Sequence, residues 1–191
     1  EGIDIKRLDK GAVIFNAERE EGFAVFVVDN TNRTEARYWI DDFLRVRQRQ
    51  DNYHNTHNTL AMCKKYVTKH LSKEFEVSKA DQAELLNETM KYFQEQESFS
   101  MDDFSEKVIR QPEVVESFTR FRQEYEQDRD IRIEDEFGIS DSAVKKQARS
   151  YKSVIKLDRN FHIYVHGNRN LLEQGEDEKG KFYKVYYEEE E

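Results

Sequence analysis

The stretch LRVRQRQDNYHNTHNTL, residues 44–60, gathers residue types that can hold an anion or a metal. Arg45, Arg47 and Arg49 sit at alternate positions, and His54 and His57 follow among Asn52, Asn55 and Asn58. In an extended chain, side chains two residues apart point the same way, so the arginines would form a comb matched to a phosphate backbone. In a helix each such step turns the side chain by about 200° and the comb is lost. The stretch would then be a solvated helix end, whose arginines suit the C-terminal dipole. The residues alone leave both readings open. His54 and His57 can share one side of a helix, but no carboxylate or cysteine at ligand spacing completes a metal set, so no metal is expected.

Other cations repeat at helical spacing. Lys65 and Lys69 are four apart and share a face, downstream of a helix start at which His54, Asn55 and Asn58 could help to hold an anion. Lys145, Arg149 and Lys152 share a face of a later helix, with Lys146 beside it. These lysines, with Arg45, Arg47 and Arg49, are the candidate nucleic-acid-binding residues; a solvated charged surface is the alternative at each place. A different chemistry is open at His162, Tyr164 and His166, which alternate along one strand face. With Lys184 on a neighbouring strand they would make a stacking platform for bases, or else an ordinary outer sheet face. There is no glycine-rich phosphate loop, nucleophile elbow or Walker-type lysine. Asp41–Asp42 and Asp102–Asp103 are adjacent pairs, about 100° apart on a helix, which suits capping and solvation better than paired acid–base work. No catalytic residue, cofactor or enzymatic activity is expected.

The elements that must position these residues follow from periodicity. GAVIF (11–15) and FAVFVV (23–28) are β-branched and aromatic runs that predict a hairpin. FAVFVV is apolar on both faces and predicts a central, covered strand. From Thr34, a plausible N-cap, the period becomes helical: Ala36, Trp39, Ile40, Phe43 and Leu44 form a stripe. Further helices are predicted after Asp51 (Tyr53, Leu60, Cys63, Val67, Leu71) and from Ser78 (Ala83, Leu86, Met90, Phe93). A short one follows Ser100, another runs from Pro112 to about Asp130 (Val115, Phe118, Phe121, Tyr125), and the last runs from Ser140 to about Lys152. Alternation returns in SVIKLDRNFHIYVHG, with a turn at 158–160, and a final strand is predicted in KFYKVYY (181–187). The expected fold is α+β: one domain over 1–191 with a helical region at 34–152. One antiparallel sheet would be built from the N- and C-terminal strands beside a bundle of about five to six helices, and 188–191 would be a disordered acidic tail.

Composition bounds the rest. Of 191 residues 37% are hydrophobic, which is lean, but thirteen Phe and ten Tyr supply bulk for a core. The single cysteine, Cys63, cannot form an internal disulfide and fits a reducing compartment. No apolar run approaches the roughly 18 residues of a membrane span, so no membrane partner is expected. The chain starts at Glu1 in a strand-like pattern, and an upstream portion is expected to precede it. The formal net charge is -9, which by itself argues against a polyanion. The charge is segregated, however. Residues 33–73 hold nine lysines and arginines against four carboxylates, and 138–170 hold seven against two. Residues 102–137 reverse the balance, with twelve acids and six bases. Binding follows the local field, so residues 45–69 and 145–152 are expected to contribute to one continuous positive face, with 113–136 elsewhere.

Three long stretches carry a family resemblance: RTEARYWIDDFLRVRQRQDNYHNTHNTL, FEVSKADQAELLNETMKYF and SDSAVKKQARSYKSVIKLDRNFHIYVHG. In content and order they resemble the C-terminal half of bacterial NdpA-like nucleoid-associated proteins, and the resemblance covers nearly the whole chain. It implies a cytoplasmic bacterial protein found with the nucleoid and partnered by double-stranded DNA. It supplies no binding residues, so the site assignment rests on charge. The expected function is DNA binding with low sequence specificity, in chromosome organisation, since no helix-turn-helix or zinc motif is present to read bases. The alternative is a protein-interaction module whose acidic helix and aromatics bind another nucleoid protein or a second copy, with the DNA contacts in the upstream portion. A metal-dependent nuclease is the weaker rival, for want of a recognisable site.

Overall fold

The computed structural model describes residues 9–15, 23–29, 38–47, 49–151, 154–165 and 169–189. The chain divides into two compact units, Glu1–Arg49 and Gln50–Glu191.

In the first unit, strands β1 (Lys10–Phe15) and β2 (Ala24–Asp29) pair antiparallel, from Lys10 opposite Asp29 to Phe15 opposite Ala24. This is the predicted hairpin. The covered central strand is not found: β2 pairs with β1 alone among the described strands, and Ile14 and Phe26 are each 66% exposed. An apolar run records that a strand gains from cover, not that a neighbour supplies it. Phe15 and Phe26 meet edge to face, with centroids 5.4 Å apart. A π-helical turn, Tyr38–Leu44, follows, and Trp39 stacks on Phe43 at 4.8 Å. The proposed cap Thr34 and the stripe residue Ala36 lie outside the described residues. The turn ends where Arg45 enters the left-handed region (φ 50°), which lets the N–H of Val46 reach back to the carbonyl of Ile40 at 3.1 Å.

The second unit begins with α1 (Asn52–Lys65), capped by Asp51, whose carboxylate accepts the His54 N–H at 3.0 Å. Thr56 and Thr59 are fully buried, each donating its hydroxyl to the carbonyl four residues back, so the helix hides polar side chains with little unmet hydrogen bonding. The helix widens into a π-helical stretch, Tyr66–His70, and closes with α2 (Leu71–Glu74). Helix α3 (Lys79–Glu95) starts with a capping box in which Ser78 and Asp81 satisfy each other's backbone N–H. After β3 (Ser98–Ser100) come α4 (Met101–Phe104) and α5 (Pro112–Arg129), with Pro112 at its first turn as predicted. Ser100 occupies the N-cap position of α4 but makes no side-chain cap bond there. Strand β4 (Glu136–Gly138) pairs with β3 and leads into α6 (Asp141–Ala148). Helix α6 stops short of Lys152: the buried Tyr151 donates its hydroxyl to the Leu60 carbonyl, which draws the chain inward. Two hairpins finish the unit: β5 (Val154–Leu157) with β6 (Phe161–Tyr164), and β7 (Leu172–Asp177) with β8 (Gly180–Val185). The polar sequence of β7 gave no strand signal. Of the acidic tail, Glu190 and Glu191 lie outside the described residues.

The core is aromatic, as the composition foretold. Phe99 stacks on Phe93 (5.3 Å) and Phe137 (4.8 Å), with Phe104 and Tyr92 closing on them. Fully burying such rings contributes about 1.5–3 kcal/mol each. A smaller cluster joins Ala80 and Ala83 of α3 to Ile155, Val165 and Leu172. The α+β class therefore holds, but the single shared sheet does not. The described strands form four separate two-stranded pairs. Alternation identifies strands and their faces; it does not encode which distant strand is a partner.

Candidate nucleic-acid interface

Helices α1 and α6 pack together through short polar links. Ser140 donates its backbone N–H to the Thr56 hydroxyl at 3.0 Å, and the Gln147 amide nitrogen lies 3.0 Å from Nδ1 of His57. Ala143 and Val144 are the buried side of α6, which leaves Lys145, Lys146 and Arg149 exposed. Lys146 donates to the Tyr53 hydroxyl at 3.2 Å, and its ammonium is 5.9 Å from that ring's centroid. The Tyr53 ring in turn lies nearly parallel to His57 at 6.3 Å.

The other end of α1 meets α5. The Lys65 ammonium sits over Tyr125 at 5.2 Å, and the Arg129 guanidinium lies 4.7 Å from the same ring. One buried ring thus holds two cations from different helices. Arg129 also reaches the α1–α6 junction electrostatically. Burial first, then Lys146, His54 and Arg129, hold the His57 imidazole below its usual basicity. Lys65 and Arg129, on two helices, thus share the Tyr125 ring, while Lys146 of α6 rests on Tyr53 near the start of α1. Arg129 was not anticipated, because it lies in the acidic block; it is the basic residue of the last turn of α5. Within the block 113–136, expected elsewhere, this residue shares the Tyr125 ring with Lys65.

The remaining candidates are distributed as follows. Lys69 is exposed in the π-helical stretch beyond Lys65. Lys65, Lys69, Lys145, Lys146 and Arg149 make no ion pair with a described carboxylate. Arg110, Arg120 and Arg122, by contrast, are bound to Glu88, Glu74 and Asp135. Lys152 lies outside the described residues. Arg45, Arg47 and Arg49 belong to the first unit and are all exposed. Neither sequence reading of this trio holds in full. Residues 45–47 are not helical, yet Arg45 is left-handed, so 45–47 are not a regular extended run; Gln48, between the second and third arginines, lies outside the described residues.

The start of α1 is already occupied by Asp51, which binds both the backbone N–H and the ring Nδ1 of His54, the latter at 2.8 Å. This corrects the expectation of an anion site there. Asn55, proposed as part of that site, is buried. Both histidines are engaged, His54 by Asp51 and His57 by Gln147. Among the described residues no group of three or more His, Cys, Asp or Glu comes together. Burial raises the Cys63 thiol well above its usual range, so it packs as a small apolar side chain. No described helix is long and apolar enough to cross a membrane.

Comparison with known proteins adds a family. The model described as NA37, nucleoid-associated protein YejK, matches residues 1–190. No curated protein and no solved structure matches the chain.

Proposed function

We propose that this chain, which belongs to the nucleoid-associated protein YejK family, is itself a binder of double-stranded DNA. Family membership places the protein in the bacterial cytoplasm with the nucleoid. The finer reading is that Lys65, Lys145, Lys146 and Arg149, joined by Arg129, neutralise phosphates along the backbone. Lys69 and Lys152 extend this set, and Arg45, Arg47 and Arg49 supply a second one from the first unit. The observation that carries the reading is the set of exposed lysines without described carboxylate partners on α1 and α6, in a chain of net charge -9. A protein this acidic gains nothing in solubility from such a set, whereas a polyanion gains counterion release. Cations that grip phosphates read no base edges, so binding with low sequence preference follows, and the role is architectural rather than enzymatic. Fluorescence anisotropy with a labelled duplex, across a range of salt, tests it. Affinity that falls steeply with salt is expected, and absence of binding at low salt would refute it.

A second reading has its own support. Val13, Ile14, Phe15, Phe23, Phe26 and Val28 are all exposed on the β1–β2 hairpin. An apolar surface of that kind favours a protein partner, a second copy included. Analytical ultracentrifugation distinguishes the readings: self-association that persists in high salt supports an interaction module.

A further inference from the structure

The β5–β6 hairpin has two unlike faces. Ile155 and Val165 are buried against Ala80 and Ala83 of α3, and Leu157 and Ile163 pack beside them. The opposite face carries Lys156, His162 and Tyr164, all exposed. Lys156 stands directly across from His162 in the register, and Val154 stands across from Tyr164. Arg159 is exposed at the turn, and Phe161, at its edge, is 68% exposed. Neither Lys156 nor Arg159 makes an ion pair with a described carboxylate. The platform anticipated from sequence is thus differently composed. Lys184 is not part of it, being held on the β7–β8 hairpin by Glu173 at 3.5 Å and by the Tyr186 ring at 5.4 Å; Lys156 takes that place. His166 lies outside the described residues.

We infer that this face binds single-stranded nucleic acid, with His162 and Tyr164 stacking on two bases and Lys156 and Arg159 contacting phosphates. Residues two apart on a strand are about 6.8 Å apart, twice the base spacing of about 3.4 Å in a duplex strand. Rings at that separation meet bases that have come apart from one another. A duplex keeps its base faces stacked along its length, so the platform selects single strands. The charge complements the ligand: the hairpin itself, residues 154–165, holds Lys156 and Arg159 against the single acid Asp158. Stacking tolerates any base, so little sequence preference is expected. This site is separate from the α1–α6 face, and the inference does not rest on duplex binding there.

The test uses the whole chain and two probes at one salt concentration: a labelled oligothymidine of about 16 nucleotides, within the usual site size, and a duplex of equal length. His162→Leu with Tyr164→Leu keeps apolar bulk and removes both aromatic faces. It is expected to weaken oligothymidine binding at least about fivefold, the effect of losing one stacked base at the low end. Duplex binding is expected to stay unchanged, and Tyr164→Phe alone to keep oligothymidine affinity, because the ring remains. An unchanged oligothymidine affinity in the double variant overturns the inference. So does an equal loss on both probes, which would mark a general electrostatic or folding effect. Wild-type protein that binds the duplex but not oligothymidine overturns it too, and leaves the duplex reading standing.

Discussion

Gln147 of α6 presents its amide nitrogen to Nδ1 of His57 on α1 at 3.0 Å, with its basic neighbour Lys146 bonded to Tyr53 one turn earlier on α1. The helix that carries the exposed lysines is therefore fixed to the unit's first helix by a neutral imidazole. A protonated His57 would put an N–H donor against the Gln147 amide donor and add a charge beside Lys146 and Arg129.

Stability should depend on pH through this contact. The folded state holds His57 below its unfolded value of 6.5, so between the folded and unfolded values the unfolded chain binds more protons. The contribution is complete above pH 6.5 and is lost as pH falls from there through the depressed folded value. Urea titrations from pH 7.5 to 5 are expected to show a smaller loss in His57→Gln than in the wild type. Identical profiles would remove His57 as the cause.

Duplex binding should report the number of phosphates neutralised. Each contact contributes about -0.9 to the slope of log affinity against log salt. Replacing Lys145, Lys146 and Arg149 by alanine is expected to flatten that slope by up to about 2.7, as is replacing Arg45, Arg47 and Arg49. Exposed substitutions usually change stability within about 0.5 kcal/mol each, and thermal melting separates folding from binding. A folded triple variant with unchanged slope excludes that set from the interface.

Arg45 has a conformational role apart from its charge. Its φ of 50° ends the π-helical turn, and this region costs an L-residue about 1–2 kcal/mol. Arg45→Gly is expected to retain the fold of the first unit, and Arg45→Val to destabilise it. Hydrogen exchange at Val46, whose N–H bonds to Ile40, reads the difference. Equal protection in the two variants would show that the turn does not need the left-handed residue.

The capping box of α3 gives a control outside the residues assigned to duplex binding. Ser78→Ala removes the acceptor for the Asp81 N–H at 3.0 Å and is expected to cost about 1 kcal/mol without altering the duplex salt slope. A changed slope would mean that nucleic-acid binding is read through global stability.

Local signals fixed much of this molecule. The stripe Leu60, Cys63, Val67, Leu71 is buried as its spacing required, and Asp51, Ser78 and Pro112 begin helices where their chemistry puts them. Membership of the nucleoid-associated family was legible too, because it rests on long stretches of sequence. What sequence could not give is what depends on distant residues meeting. Arg129 looked like one base in an acidic helix until the Tyr125 ring brought it to Lys65. The anion site at the start of α1 looked open until Asp51 folded back on His54. FAVFVV looked central until β2 proved to pair with β1 alone among the described strands. Periodicity and capping act within a few residues, so the chain states them directly. Strand partners, the lysines left without a described carboxylate and the occupant of a helix end are settled by which surfaces pack, and only the tertiary structure decides that.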